Sequence, residues 1–457
     1  MCIKQKKIFF IVVIFLISSL FLTSYKSETP FNSIDETINR SQISKSSVVS
    51  VSIRDIQSEK SVYQRDANLL LHPASTLKAF TTPVILDVLT KNLSTGLYKD
   101  NKGNIYLKLC ADPQLNTEKL SDLIMGFKIK GYNRIKGSLY LDDSAIDDIP
   151  WGTGWMWDDE NNSYMPKFNA YNLNRNLISV KVTPTELNQK PKVEIIPYYP
   201  VKIINNAVTS NETNFSVERK VWKNSENLYV DGKISVLTAK ILPVGNPEIF
   251  FKYQLQKIIK DNKIKFSGQY KTVKLPVDAV LISEISHNIL DEVKIINKQS
   301  DNLSTETLFK LAGAEYTGLT GSTENGLKAF KSFYSKLGID TSEISIVDAS
   351  GVSQNDLITA NWMTNTLAKL YKSQNFETYK STLATPLESG TLQNRLAVLQ
   401  GKLFAKTGTN AGVSAITGYL TGKSGKTYSF AIIIQNFKDS AKPVKELEDE
   451  ILTILGM

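Results

Sequence analysis

His72-Pro73-Ala74-Ser75-Thr76-Leu77-Lys78-Ala79-Phe80 opens an apolar helix that continues through Thr81-Thr82-Pro83-Val84-Ile85-Leu86-Asp87-Val88-Leu89. Pro73 suits the entry, where a missing N–H costs nothing. Leu77, Val84, Ile85 and Val88 recur at helical spacing and predict a buried element. Ser75 falls in the first turn and Lys78 three residues later. Side chains three apart share a helix face, so the amine can reach the hydroxyl. Free N–H groups at the helix start suit a developing negative charge. A serine, an adjacent base and anion-stabilising donors are the minimum for acyl transfer. The bland reading of the same pair is a capping hydroxyl beside a solvated lysine.

Composition removes several other chemistries. The chain has 457 residues, long for one domain, with 42% apolar and 22% charged residues. Its net charge of +9 comes from scattered lysines rather than a basic stripe with aromatics, so nucleic acid is not an expected partner. The two histidines, His72 and His287, lie in no nucleophile-elbow or metal-binding motif. Cys2 and Cys110 can form neither a disulfide framework nor a cysteine zinc site, and Cys110 reads as a small packed residue beside Leu107 and Leu109. Lys4, Lys6 and Lys7 followed by the apolar run Ile8 to Leu22 read as an export signal or, uncleaved, an anchor over residues 1–24. The mature chain is therefore expected in the periplasm or cell envelope.

Residues 25–46 are polar and read as a linker. Ser47 to Arg54 alternates as a strand, and Ser61 to Gln64 is its hairpin partner. Between 91 and 275 the texture is β-rich, with runs at 105–109, 137–141, 178–182 and 193–196 and one helix over 247–260. Trp151, Trp155 and Trp157 in that stretch read as packing. Helical periodicity returns at 288–298, 302–313, 324–337 and 360–372. Residues 402–409, 415–420 and 426–435 read as three antiparallel strands, and 442–455 as a closing amphipathic helix. The expected architecture is an α/β sandwich, an antiparallel sheet with flanking helices built from 47–90 and 276–457. A β-rich insertion, 91–275, in two subdomains interrupts it.

Two further stretches complete the chemistry. Ser300-Asp301-Asn302 lies between two predicted helices, where a hydroxyl can relay a proton and an amide can hold a peptide. Taken alone it is also a good N-cap. Lys406-Thr407-Gly408-Thr409 lies on a predicted strand, where cation and hydroxyls can hold a carboxylate and glycine admits close approach.

Ser-x-x-Lys, Ser-x-Asn and Lys-Thr-Gly in this order resemble the penicillin-binding proteins and serine β-lactamases. The chain from residue 47 onward is similar to the DacB-type D-alanyl-D-alanine carboxypeptidase/endopeptidases, the class C low-molecular-mass penicillin-binding proteins. The likeness rests on Pro73 to Lys78, Leu141-Asp142-Asp143-Ser144, Trp155-Met156-Trp157-Asp158-Asp159 and Lys298 to Leu303. It continues at Asp348 to Ser353, Gly390-Thr391-Leu392 and Ala405 to Thr409. The interval of 300 − 75 = 225 residues leaves room for the insertion of that family, and no Glu-x-x-x-Asn element of class A β-lactamases is seen.

The resemblance implies Ser75 as nucleophile and Lys78 as its base, with Ser300 passing a proton and Asn302 holding the substrate amide. Lys406, Thr407, Gly408 and Thr409 would bind the terminal carboxylate, with an oxyanion hole from the Ser75 and Thr409 N–H groups. It implies peptidoglycan stem peptides as substrate, β-lactams as inhibitors and no metal or cofactor. The family commonly has Arg where this chain has Gln354, and that Arg helps recognise a diaminopimelate side chain. Asp142 and Gln354 are accordingly the expected far-end contacts, with Asp142 short of its charged partner. A serine β-lactamase and a non-catalytic wall-binding protein on the same fold are the competing readings.

Overall fold

The run Phe430-Ala431-Ile432-Ile433-Ile434 is apolar at every position, which a strand tolerates only when both faces of its sheet are covered. A computed structural model of the protein, describing residues 30–221, 226–388 and 390–457, places this run in the middle of a sheet. Five antiparallel strands stand in the order Leu403–Asn410, Val413–Thr421, Thr427–Gln435, Val48–Asp55, Ser61–Arg65. Val51, Ile432 and Ile416 form one cross-strand row facing the C-terminal helix Lys442–Gly456, which contributes Val444, Ile451, Leu452 and Leu455. Ala431 and Ile433, one residue out of phase, face a helical layer that includes Ala360–Tyr371. Each isoleucine buried this way is worth about 2 kcal/mol. The expected α/β sandwich is the observed one.

The reading of 25–46 as a linker does not hold. Pro30–Arg40 is a helix against the C-terminal helix, with Ile34 and Ile38 fully buried one turn apart. With so few apolar residues in it, its buried face is narrow: Ile34, Thr37 and Ile38, with Phe31 partly covered. The export signal over 1–24 lies outside the described residues. Among the described residues no helix is long and apolar enough to cross a membrane.

The stretch after residue 91 builds three sheets around one shared core, which includes Leu107, Leu141, Val180, Val230 and Phe250. Its largest sheet is mixed, in the order Tyr270–Thr272, Leu139–Asp142, Ile105–Lys108, Leu93–Lys99, Val280–His287. Val280–His287 pairs with Leu93–Lys99, so the inserted layer extends past the expected end at 275. The chain rejoins the catalytic core at Ile289–Gln299, through Ile289, Val293 and Ile296. A helix over Thr117–Ile129 was not expected. Asn116 caps it by accepting the Lys119 N–H, and Leu120, Leu123, Ile124 and Phe127 fill one face.

Candidate active site

The Ser75 segment is tighter than the sequence predicts. Ala74–Leu77 is a 3₁₀ turn, and the α-helix proper runs Lys78–Val88. In a 3₁₀ turn residues i and i+3 eclipse, which stacks Lys78 over Ser75. Ala74 is held at φ +47°, an unfavourable backbone for a residue with a side chain. Two neighbours hold this turn. His72 Nδ1 accepts the Ala74 N–H at 2.9 Å, and Gly351 lets another loop press on the Ala74 carbonyl, where a β-carbon would stand 2.0 Å away. Pro83, inside the helix, removes the N–H that would bond the Ala79 carbonyl. Tyr379 replaces it, donating its hydroxyl to that oxygen at 2.9 Å.

Lys78 is fully buried. Its Nζ donates to Ser75 Oγ at 2.9 Å, Asn302 Oδ1 at 2.6 Å and the Ser350 carbonyl at 2.8 Å. Burial pushes the amine down to about 8, against Asp348, Glu306, Asp301 and Asp356, which pull it up. A lysine so placed exchanges its proton near neutral pH, as a general base must.

Ser300 ends the helix Ile289–Gln299 in the left-handed conformation, φ +65°. Asp301 then caps Asn302–Thr317 by accepting the Ser304 N–H at 2.7 Å, so the capping reading of this motif is correct for Asp301 alone. Its neighbours are left for the cleft. Asn302 bridges Lys78 to the Tyr164 carbonyl, to which it donates at 2.9 Å. Arg175, from the inserted region, ties this junction down, pairing with Asp301 at 2.9 Å and the buried Glu292 at 3.1 Å.

Leu403–Asn410 is an edge strand. Alternate residues of an antiparallel edge direct their N–H and C=O away from the sheet. Ala405 does so, exchanging both bonds with Ala384, and Thr407 and Thr409 follow at the same phase. The buried Lys406 donates to Ser300 Oγ at 3.0 Å and to the Thr407 carbonyl at 2.7 Å. Burial, and next the charge of Lys78, hold its amine well below its ordinary value. Thr407 Oγ1 donates to Thr391 Oγ1 at 2.7 Å. Gly408 lies against the Ser75 turn.

The structure thus joins Ser75, Lys78, Asn302, Ser300, Lys406 and Thr407 through a chain of hydrogen bonds and contacts, with Thr409 exposed at its end. Gln354 is exposed on the turn after Ser353, and Gly154 of the inserted region packs against Ser353 and Asn355. Asp142 is not brought to the cleft. Its carboxylate is buried and accepts the Ser144 and Leu275 N–H groups and the Ser144 hydroxyl. It lines a separate cavity with Glu315, and that residue is roughly 20 Å further along its helix than Asn302 at ~1.5 Å per residue. The acidic residues nearer the mouth are Asp158 and Asp159, on the turn between the Gly154 and Tyr164 anchors. Trp155 packs on Phe168 and donates to Asp348 at 2.8 Å, whereas Trp157 is 64% exposed.

A hydroxyl beside a buried, proton-exchanging amine, next to an open strand edge with a second buried lysine, defines a serine–lysine acyl-transfer enzyme on the penicillin-binding-protein sandwich. The chain belongs to the D-Ala-D-Ala carboxypeptidase 3 (S13) family, whose model matches residues 31–455. As a member it is a serine-type D-Ala-D-Ala carboxypeptidase. It is 26% identical to the D-alanyl-D-alanine carboxypeptidase of Actinomadura sp. (strain R39) over 419 residues, 84% of this chain and 77% of the relative. To the D-alanyl-D-alanine carboxypeptidase DacB of Haemophilus influenzae it is 24% identical over 444 residues, 91% of each chain. The fold matches the crystal structure of penicillin binding protein 4 (dacB) from Haemophilus influenzae with a TM-score of 0.81, at 22% identity over 92% of this chain and 98% of that one.

Proposed function

We propose that the enzyme removes the terminal D-Ala of peptidoglycan stem peptides through an acyl-enzyme on Ser75. The observation that carries this reading is the 2.9 Å contact between Ser75 Oγ and the Nζ of the buried Lys78. Neutral Lys78 takes the Ser75 proton as Oγ attacks the penultimate D-Ala carbonyl. The Ser75 and Thr409 N–H groups stabilise the oxyanion. Ser300, held by Lys406, gives its proton to the departing D-Ala nitrogen and takes up the one that Lys78 removed from Ser75. Lys406, Thr407 and Thr409 hold the terminal carboxylate, Asn302 holds the substrate amide, and water releases the acyl group. β-Lactams enter the same steps and acylate Ser75.

The open edge of Leu403–Asn410 supports binding of the substrate as an added strand. A crosslinked peptide offers the same D,D bond, so endopeptidase cleavage is part of the proposal. The catalytic domain is discontinuous, about 30–90 and 288–457, with the region between as the insertion. The basic and apolar start of the chain supports export to the cell envelope, with peripheral association at the membrane surface.

The test uses purified protein, labelled penicillin and a pentapeptide ending in D-Ala-D-Ala, beside Ser75→Ala. Wild type should release D-Ala and carry a long-lived label, and Ser75→Ala should do neither. Wild type that releases no D-Ala and takes no label sinks the reading. Equal labelling of Ser75→Ala shows a different nucleophile. Rapid loss of label with hydrolysed penicillin would favour a β-lactamase.

A further inference from the structure

Lys78 has three acceptors, and two of them, Ser75 and Asn302, belong to recognised motifs. The third is the carbonyl of Ser350, on a loop that contributes no side chain to the proposed steps. A main-chain oxygen can aim at a lysine only if the loop carrying it is fixed. The fixing group is Glu306. It lies one turn after Asn302 on Asn302–Thr317, hence on the same helix face, and is wholly buried. Its Oε1 accepts the N–H groups of both Ala349 and Ser350, at 3.0 and 2.9 Å. Thr81 holds the same loop from the Ser75 helix, donating to the Ala349 carbonyl at 2.9 Å. Asp348, accepting the Gly351, Val352 and Ser353 N–H groups, fixes the other half.

Buried carboxyl groups are rare unless charge-paired, and among the described residues Glu306 makes no ion pair, the cation that acts on it being Lys78. The Ser350 hydroxyl lies buried beside the same carboxyl and favours its charged form. A buried carboxyl whose Oε1 is spent on the loop that addresses Lys78 has a use in holding that loop.

We propose that Glu306 is a positioning residue for the acylation step, its carboxyl aiming the Ser350 carbonyl at Lys78 Nζ and so keeping the amine directed at Ser75. This rests on the reading of Lys78 as the base. The titratable groups that face Lys78 are Asp301 and Glu306 from the Asn302 helix, Asp348 and Asp356 from the 348–356 loop, and Lys406 from the edge strand. Burial, the largest influence on Glu306, raises its carboxyl to about 8, and ionised it would hold the Lys78 proton on more firmly.

The experiment measures the rate of Ser75 acylation by labelled penicillin from pH 5 to 9.5, normalised to titrated active sites, in wild type, Glu306→Ala and Glu306→Gln. Glu306→Ala removes acceptor and charge. Its plateau rate should fall about 10- to 100-fold, the range that a small misplacement of a reacting group produces. Its acid limb should also move to lower pH, because the Ser350 carbonyl that helps hold the lysine proton is no longer fixed. Glu306→Gln keeps the carbonyl acceptor and nearly the same shape, and should restore the plateau to within about threefold of wild type, since one acceptor atom does the aiming. A role in folding alone would lower active enzyme and Tm without moving the limb of the sites that remain. A wild-type rate and limb in Glu306→Ala, or a Gln variant no faster than Ala, overturns the proposal. Wild type that is never acylated overturns the reading of Ser75 and Lys78 beneath it, a different failure.

Discussion

Gly408 stands where a side chain would strike the nucleophile's backbone: a β-carbon on it would lie 2.8 Å from Ser75 N and 2.9 Å from Thr76 N. Those atoms belong to a turn already strained at Ala74 and cannot retreat cheaply. Gly408→Ala should push the edge strand off the Ser75 turn and slow acylation by penicillin about 100-fold. Stopped-flow acylation of the folded variant checks this, and a wild-type rate would show that the close approach is not needed.

The acylation rate should follow the ionisation of Lys78. Its proton affinity is lowered to about 8, mainly by burial, so the neutral base accumulates as pH rises through about 8. Below that value the rate should fall about tenfold per pH unit, and above it the rate should level off. A profile flat from pH 5.5 to 9 would remove Lys78 from the role of base.

Arg175 is the inserted region's hold on the Ser300-Asp301-Asn302 junction. Arg175→Ala leaves Glu292 buried without its cation, at a cost of about 3 kcal/mol. We expect a lower Tm together with slower acylation, since Ser300 and Asn302 lose their support. Calorimetry and the labelling assay read the two effects, and an unchanged rate in the folded variant would confine Arg175 to stability.

Gln354 offers no charge to the far end of the substrate. Gln354→Arg places a guanidinium on that exposed turn, and a charge-assisted bond of ordinary strength would raise kcat/KM about tenfold for stem peptides with a free carboxylate on the third residue. Peptides with lysine there are the comparison. If the ratio of the two stays fixed, position 354 does not face the third residue.

What was legible in the sequence was local. Ser75 and Lys78, Ser300 and Asn302, and Lys406 to Thr409 announce themselves by spacing, because each set sits within one turn or one strand. The strands around Ile432 and the helices after residue 288 were equally plain in their periodicity. Glu306 gave no comparable signal: its meaning depends on Ala349 and Ser350, more than forty residues away, and only its i+4 relation to Asn302 pointed inward. Asp142 gives the converse case, since an acid beside Ser144 carries no hint that one oxygen is consumed by the local turn and the other by the distant Leu275 N–H. Pro30–Arg40 signals weakly because its buried face is Ile34, Thr37 and Ile38 with Phe31 partly covered, and Thr117–Ile129 because strand-like runs dominate the sequence around it.

The unpaired side of Leu403–Asn410 has one more consequence. A free strand border is ordinarily a liability, a template on which a second copy of the same protein can add and polymerise. Here Ala384 occupies that border at Ala405, and the strand ends at Asn410, so only the stretch about Thr407 to Thr409 stays available. A window that short excludes a neighbouring protein's strand while admitting the tip of a peptide. The same shortening that protects the enzyme from self-association also sets how much of a wall peptide it can read.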